Sequence, residues 1–118
     1  MFRKVERNGV AVTEWLPESS QDQPSVSIAE VILHGHVYPP ARYKEACNTK
    51  CDVAIYVVSG LIKLTMTEHG IVLKTGDAAY IPKGVWYKIE RIYLNTILPA
   101  KLVHTASPPY STEQHTFR

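Results

Sequence analysis

Short stretches of this chain alternate between apolar and polar residues, which is the pattern of a strand with one buried face. Residues 29–37 are the clearest case, since Val31 and Leu33 share one face whereas His34 and His36 share the other. No long window of the sequence has a convincing 3.6-residue apolar period. The pattern therefore predicts short strands with little or no helix.

Turn-forming glycines and prolines separate these stretches at intervals of roughly eight to twelve residues, the spacing typical of all-β sandwiches and barrels. The predicted strands are residues 10–15, 29–37, 53–58, 61–67, 71–74, 78–81, 85–89, 93–98 and 102–104. The polar residues 18–25 predict a loop. Residues 53–58 are almost continuously apolar, which predicts a strand buried on both faces.

The composition is that of one globular domain and argues against two classes of partner. The chain has 118 residues, of which 45% are hydrophobic and 20% charged. A formal net charge of +2 without a run of basic residues argues against nucleic acid. The apolar runs are far shorter than the ~20 residues that span a bilayer, so no membrane partner is expected. Because residues 1–7 lack the apolar stretch of a secretory signal, we expect a cytoplasmic protein.

The two cysteines, Cys47 and Cys51, are separated by Asn, Thr and Lys. In a reducing cytosol this arrangement favours two unrelated thiols. A metal site would need further His or Cys ligands at a recognisable spacing. A disulfide across a local turn is geometrically possible, but the sequence context does not support it.

Two segments resemble the conserved motifs of the cupin superfamily. Residues 56–60, Tyr-Val-Val-Ser-Gly, are similar to the strand and turn that close the first motif. Residues 76–87 are similar to the second motif, G-x5-P-x-G-x2-H, apart from its final histidine. Gly76 and Gly84 suit the turns of this motif, and Pro82 suits a strand end. The resemblance implies a double-stranded β-helix, that is, a jelly-roll barrel.

The same alignment implies that the usual metal ligands are lost. The first cupin motif, G-x5-H-x-H-x3,4-E-x6-G, supplies two histidines and a glutamate, and the second motif supplies a third histidine. The corresponding positions hold Ala46, Asn48, Val53 and Tyr87. These side chains lack the imidazole and carboxylate donors that a divalent cation prefers. The resemblance therefore implies no metal and no other cofactor. A shift of one residue in the first motif would instead bring Cys47 and Asp52 to ligand positions.

Positions of the lost ligands still face the cavity in the implied barrel, which makes Asn48 and Tyr87 candidate ligand-binding residues. Ile89 and Arg91 follow on the same face. Tyr87 combines an apolar ring with a hydrogen-bonding tip, and the alternative is a buried tyrosine bonded to a main-chain carbonyl. Arg91 suits a carboxylate or phosphate, and the alternative is a solvated arginine at a strand end.

His34 and His36 are the other ligand-binding candidates. Together with Glu30 they form a polar face that could line the cavity, and histidine titrates near neutral pH. The alternative turns this face to solvent or to a subunit interface. The uniformly apolar opposite face favours that alternative.

These residues are compatible with three functions. The first is a metal-free cupin that binds a small molecule in the barrel cavity, in a non-catalytic or sensor-like role. The second is a metal-independent epimerase or isomerase that acts on a sugar or nucleotide sugar, because residues 81–86 resemble the second motif of such cupin-like enzymes. Tyr87 would be the acid and His34 or His36 the base. The third is a metal-dependent cupin enzyme with relocated ligands from His34, His36, Cys47 and Cys51.

The resemblance also implies one domain over residues 1–118, with a barrel core at about 26–104. We expect a homodimer, as cupins commonly pair through their sheets. Residues 105–118 contain Pro108-Pro109 and many polar residues. We expect this tail to be poorly ordered unless a partner subunit holds it.

Overall fold

The computed structural model describes residues 2–7, 10–15, 25–92 and 99–118. These residues form strands, connecting segments and one 3-10 turn (Thr112–Gln114). The strands are β1 (Phe2–Arg7), β2 (Val10–Trp15), β3 (Ser27–Leu33), β4 (Val37–Tyr38), β5 (Ala46–Asn48), β6 (Asp52–Ser59), β7 (Leu61–Met66), β8 (His69–Lys74), β9 (Ala78–Ile81), β10 (Trp86–Arg91), β11 (Ala100–Ser107) and β12 (His115–Phe117). Among the described residues, no helix has the length and hydropathy needed to cross a bilayer.

Two antiparallel sheets enclose one apolar core. The first sheet has the order β1-β2-β3-β11-β6-β9, and the second has the order β12-β5-β10-β7-β8, with β4 paired to β10. Their inner faces meet in a continuous cluster that includes Leu33, Val57 and Leu102 from the first sheet and Ile62 and Leu64 from the second. This arrangement is the jelly-roll barrel, so the predicted all-β fold class is confirmed.

β6 has one buried face and one exposed face. Val53, Ile55 and Val57 point into the core and are 3% exposed or less. Tyr56 and Val58 lie on the outer face and are 46% and 38% exposed. The prediction that residues 53–58 are buried on both faces is wrong, because this strand belongs to an antiparallel sheet with one open face.

β7 and β8 form a hairpin. Ile62 and Leu64 are fully buried, as their alternation predicts. The turn between the strands is made by Thr67 and Glu68, which have φ values of 47° and 67°. Two consecutive residues with positive φ form the turn type whose twist matches that of antiparallel strands.

The second motif forms the turns that its residues suggest. Gly76 and Gly84 have φ values of 92° and 80°, a region that glycine adopts without steric cost. The Asp77 carboxylate accepts a hydrogen bond from the N–H of Lys74 at 2.9 Å. The N–H of Gly84 donates to the carbonyl of Asn48 at 2.8 Å. This last bond ties the second motif to β5.

The predicted strand over residues 29–37 is divided in two. β3 ends at Leu33 in the first sheet, and the chain then crosses to the second sheet, where β4 pairs with β10. His34 and His36 lie in the connection and are exposed. The carbonyl of His36 accepts a hydrogen bond from the N–H of Arg91 at 2.9 Å.

The end of the chain departs most from expectation. β11 continues to Ser107, and β12 pairs with β5 at the edge of the second sheet. The Arg118 side chain donates to the Glu45 carboxylate at 3.0 Å and lies 4.3 Å over the ring of Trp86. We expected the tail to need a partner subunit, and here β5 of the same chain supplies its pairing partner.

Two predicted segments fall outside the described residues. They are the strand at residues 93–98 and, apart from Ser25, the loop at residues 18–25.

Candidate functional site

A cluster of polar and aromatic side chains lies on the inner face of the second sheet, where β5, β10 and β12 meet. Tyr87 pairs with Ala46, and His115 pairs with Asn48. Residues two apart on a strand share a face, so Asn48, Tyr87 and His115 all point inward. Asn48 and Tyr87 are 1% and 5% exposed, and His115 is half-buried. We define the aromatic–histidine site as Tyr38, Asn48, Tyr87, Tyr110, Gln114 and His115.

A series of hydrogen bonds fixes the orientation of these groups, starting from a main-chain donor. The N–H of Lys50 donates to Oε1 of Gln114 at 3.2 Å, so Nε2 of Gln114 is the atom that donates to Oδ1 of Asn48 at 3.1 Å. The same oxygen lies 2.8 Å from Nδ1 of His115, which must therefore carry the proton. In the neutral ring, Nε2 then accepts from the Tyr38 hydroxyl at 2.7 Å. The main chain thus selects one tautomer of His115.

Both histidines near this site are neutral at physiological pH. Desolvation, with a smaller repulsive effect from His104, lowers the pKa of His115 to about 4. Desolvation also lowers the pKa of His104, on β11, to about 4. The ring of Tyr110 lies between them, 5.9 Å from His104 and 5.6 Å from His115.

Aromatic rings hold the imidazole of His115 in place. Its centroid is 5.0 Å from that of Phe117 in an edge contact and 6.1 Å from that of Tyr38. Tyr43 in turn stacks on Phe117 at 4.7 Å. Tyr38 also lies 6.5 Å from Tyr87. Such offset and edge contacts restrict the ring beyond simple burial.

Tyr87 keeps its hydroxyl proton. Desolvation raises its pKa well above the ordinary value and is the largest cause of the shift. Tyr38 and Tyr110 raise the pKa further, whereas the Asn48 side chain lowers it. Nδ2 of Asn48 is buried and has no hydrogen bond of acceptable geometry to any described residue. The Asn48 side chain lowers the pKa of Tyr87 as a hydrogen-bonding neighbour, although the contact does not reach the geometry of a full hydrogen bond.

Arg91 lies inward as predicted but away from Asn48 and Tyr87. It is 8% exposed and four residues beyond Tyr87 on β10, which corresponds to about 13 Å along the strand. Its Nη1 donates to the carbonyl of Leu33 at 3.4 Å. The guanidinium thus contacts the end of β3 in the first sheet.

His34 and His36 are not brought together with the other candidates. Both are exposed in the connection between β3 and β4. Glu30, which shares their predicted face, is also exposed and lies 4.0 Å from Lys101. This placement agrees with the solvent-facing alternative rather than the cavity-facing one.

The positions of the cupin metal ligands do not fit a metal ion. Ala46 and Val53 have no donor atom, and Oδ1 of Asn48 already accepts two hydrogen bonds. The Tyr87 hydroxyl is held protonated. In the described part of the chain, no group of three or more His, Cys, Asp and Glu could hold a metal. We assign no step to a metal.

The residues proposed as relocated metal ligands do not lie together either. Cys47 and Cys51 are free and buried, whereas His34 and His36 are exposed. Desolvation raises the pKa of both thiols. A neutral thiol is neither a good nucleophile nor a metal ligand.

Sequence reasoning missed most of the site. Tyr38, Tyr110 and Gln114 carried no signal of their own. The alternation of His115 and Phe117 around Thr116 is a strand signal, but three residues are too few to interpret alone. His104 lay in a predicted strand without an identifiable partner.

The fold and this site together define the class of the molecule, which has a cupin fold. At the positions where cupins usually hold their metal ligands, the inner face carries hydrogen-bonded aromatic and amide side chains. No family model matches the chain. No curated protein matches it either.

Solved structures match it over nearly its whole length. The nucleoside dehydratase Pac13 from Streptomyces has a TM-score of 0.76 at 15% identity, covering 99% of this chain and 84% of that one. The matching structures include tyrosine-to-phenylalanine and histidine-to-glutamine variants of Pac13 with uridine.

Two further structures extend the comparison. The cupin domain of Cnp3 from Schizosaccharomyces pombe has a TM-score of 0.69 at 13% identity, covering 90% of this chain and 68% of that one. KdgF from Halomonas sp. has a TM-score of 0.69 at 16% identity, covering 96% and 89%. These identities are low, so the relationship to cupins stands at the level of the fold.

Proposed function

We propose that this protein binds a small organic molecule in the aromatic–histidine site with protein side chains rather than a metal ion. The observation that carries the proposal is the hydrogen-bonded series from Tyr38 through His115 to Asn48. Small-molecule sites typically combine apolar and aromatic walls with a few oriented polar groups, and this cluster has that composition. The likeness to Pac13 adds nucleosides to the classes of molecule worth testing.

A binding screen tests this proposal. The protein, treated with a chelator, is screened by NMR chemical-shift perturbation against nucleosides, sugars and nucleotide sugars. We expect binding molecules to shift the ring signals of His115 and Tyr87. The variant His115→Gln should weaken binding, whereas His34→Gln on the exposed connection should not. Binding that maps elsewhere, or that requires added metal, would contradict the proposal.

Acid–base catalysis is the second candidate, because Nε2 of His115 is unprotonated and hydrogen-bonded to Tyr38. The pair could remove a proton from a bound ligand through the Tyr38 hydroxyl, and Tyr87 could return one. However, a histidine with a pKa of about 4 is a weak base at neutral pH. This weakness is why we place binding first.

Hydrogen–deuterium exchange separates the two candidates. Each molecule that binds is incubated with the protein in D2O, and its C–H signals are followed by NMR. Catalysis predicts deuterium uptake at one carbon that stops in Tyr38→Phe and His115→Gln. Binding alone predicts no uptake beyond the protein-free rate.

We also propose that two copies pair through the outer face of the first sheet. This face exposes Tyr56 on β6 and Tyr80 on the neighbouring strand β9, at 46% and 56% exposure, and Ile28 on β3, at 49% exposure, with β11 between β3 and β6. Several large apolar side chains exposed on one face of a sheet are a feature of interaction surfaces. Light scattering should give the mass of a dimer for the wild type and of a monomer for Tyr56→Glu. A monomeric wild type at micromolar concentration would refute the proposal.

A further inference from the structure

One buried donor of the aromatic–histidine site, Nδ2 of Asn48, has no well-aligned acceptor among the described residues, and its neighbour is the hydroxyl of Tyr87. Nδ2 of Asn48 forms no hydrogen bond with any described residue, and the side chain is fully buried. The amide cannot simply be reversed, because Oδ1 already accepts from Gln114 and His115. A buried N–H without an acceptor is unfavourable, so an oxygen atom supplied by a ligand would be favoured at this point.

Tyr87 places a second donor beside the first. Its register with Ala46 puts it on the same face as Asn48, and the two side chains influence each other. Because its hydroxyl stays protonated, it can donate to the same ligand oxygen as Asn48. Two neighbouring neutral donors on the same face can both donate to one carbonyl oxygen.

The surroundings of these donors carry no formal charge. The site consists of phenols, amides and an imidazole that is neutral at physiological pH. Arg118 is paired with Glu45, and Arg91 is directed to the carbonyl of Leu33. An anion brought here would lose its hydration without gaining a counter-charge from these groups.

We infer that the ligand is uncharged and that one of its carbonyl or hydroxyl oxygens accepts a hydrogen bond from Nδ2 of Asn48. This inference rests on the proposed function and narrows it. Nucleosides, neutral sugars and esters fit the site, whereas nucleotides, sugar phosphates and sugar acids do not. It therefore argues against the nucleotide sugars considered from the sequence.

Matched pairs of probes, one uncharged and one anionic, test the inference. We would titrate uridine against uridine 5′-monophosphate, and methyl galacturonate against galacturonate, following the His115 and Tyr87 signals by NMR. The uncharged member of a pair should bind at least about tenfold more tightly than the anion. Asn48→Asp replaces the donor with an acceptor of the same size and should weaken the uncharged probe about tenfold or more. Tyr87→Phe provides a second variant without the hydroxyl donor, and His69→Asp at the exposed start of β8 is the control for added charge.

The outcomes distinguish this inference from the proposed function on which it rests. Anions that bind as tightly as their uncharged partners would overturn the charge preference while leaving small-molecule binding intact. Unchanged affinity in both Asn48→Asp and Tyr87→Phe would overturn the hydrogen bond. If no uncharged probe binds at this site, the inference fails together with the proposed function.

Discussion

The two pairs of histidines in this protein have opposite surroundings. His104 and His115 lie among aromatic rings, and desolvation lowers the pKa of each to about 4. His34 and His36 are exposed on the connection between β3 and β4. The same side chain is thus a desolvated, neutral group in one region and an exposed group in the other. The difference teaches that hydrogen bonds and desolvation, rather than residue type, decide which histidine can serve a site.

The largest expected effect is the loss of folding stability in acid that His104 and His115 cause. The folded-state pKa of His104 and His115 is about 4, below the ordinary 6.5. Between pH 6.5 and 4 the unfolded chain therefore binds protons that the folded chain does not, so stability falls as the pH falls. The loss should reach up to about 3 kcal/mol for each histidine.

Urea unfolding at pH 7 and pH 4.5 measures this loss. The double variant with His104→Gln and His115→Gln should show a smaller pH dependence than the wild type. Equal slopes in the two proteins would refute the assignment.

Removal of the Phe117 ring should make His115 resemble the exposed pair. Phe117→Ala deletes the edge contact at 5.0 Å and opens the imidazole to water. We expect a loss of about 2 kcal/mol in the free energy of unfolding, below the usual cost for a fully buried phenylalanine because this ring is half-buried. The pKa of His115, followed by NMR titration, should rise toward 6.5. Ile71→Ala on the exposed face of β8 is the control for loss of apolar surface.

Tyr38→Phe tests the hydrogen bond to His115 alone. The ring and its packing remain, but Nε2 of His115 loses the donor at 2.7 Å. We expect a loss of about 1 kcal/mol in stability and a change in the Nε2 chemical shift. An unchanged nitrogen signal would mean that Tyr38 does not donate in solution.

Substitution in the exposed pair should have the smallest effect. His34→Ala changes a solvated side chain, so the free energy of unfolding should change by no more than about 0.5 kcal/mol. Thermal and urea unfolding check this value. A larger loss would show that the connection between β3 and β4 contributes contacts that exposure alone does not reveal.

The fold was more predictable from the sequence than the site. Alternation located most of the longer strands, and the glycines of the second motif marked real turns. The short strands β5 and β12 were not predicted, because three residues give no reliable period. The charged β1 also escaped prediction.

The site was only partly predictable for the same reason. Asn48 and Tyr87 were identified together because the motif alignment assigns both to inward positions. Tyr38, Gln114 and His115 come from segments far apart in the chain, and only sheet pairing brings them to Asn48. Arg91 was correctly placed inward, but the pattern could not show that it contacts Leu33 at 3.4 Å rather than the other candidates.

The hydrogen bond between Tyr38 and His115 joins residues 77 positions apart, and that between Asn48 and His115 joins residues 67 apart. We expect contacts of such sequence separation to form late in folding, because the closure of a long loop must precede them. In kinetic terms the site is therefore a reporter of completed folding. The ring signals of His115 should reach their native positions only after the signals of the local β7–β8 hairpin have done so.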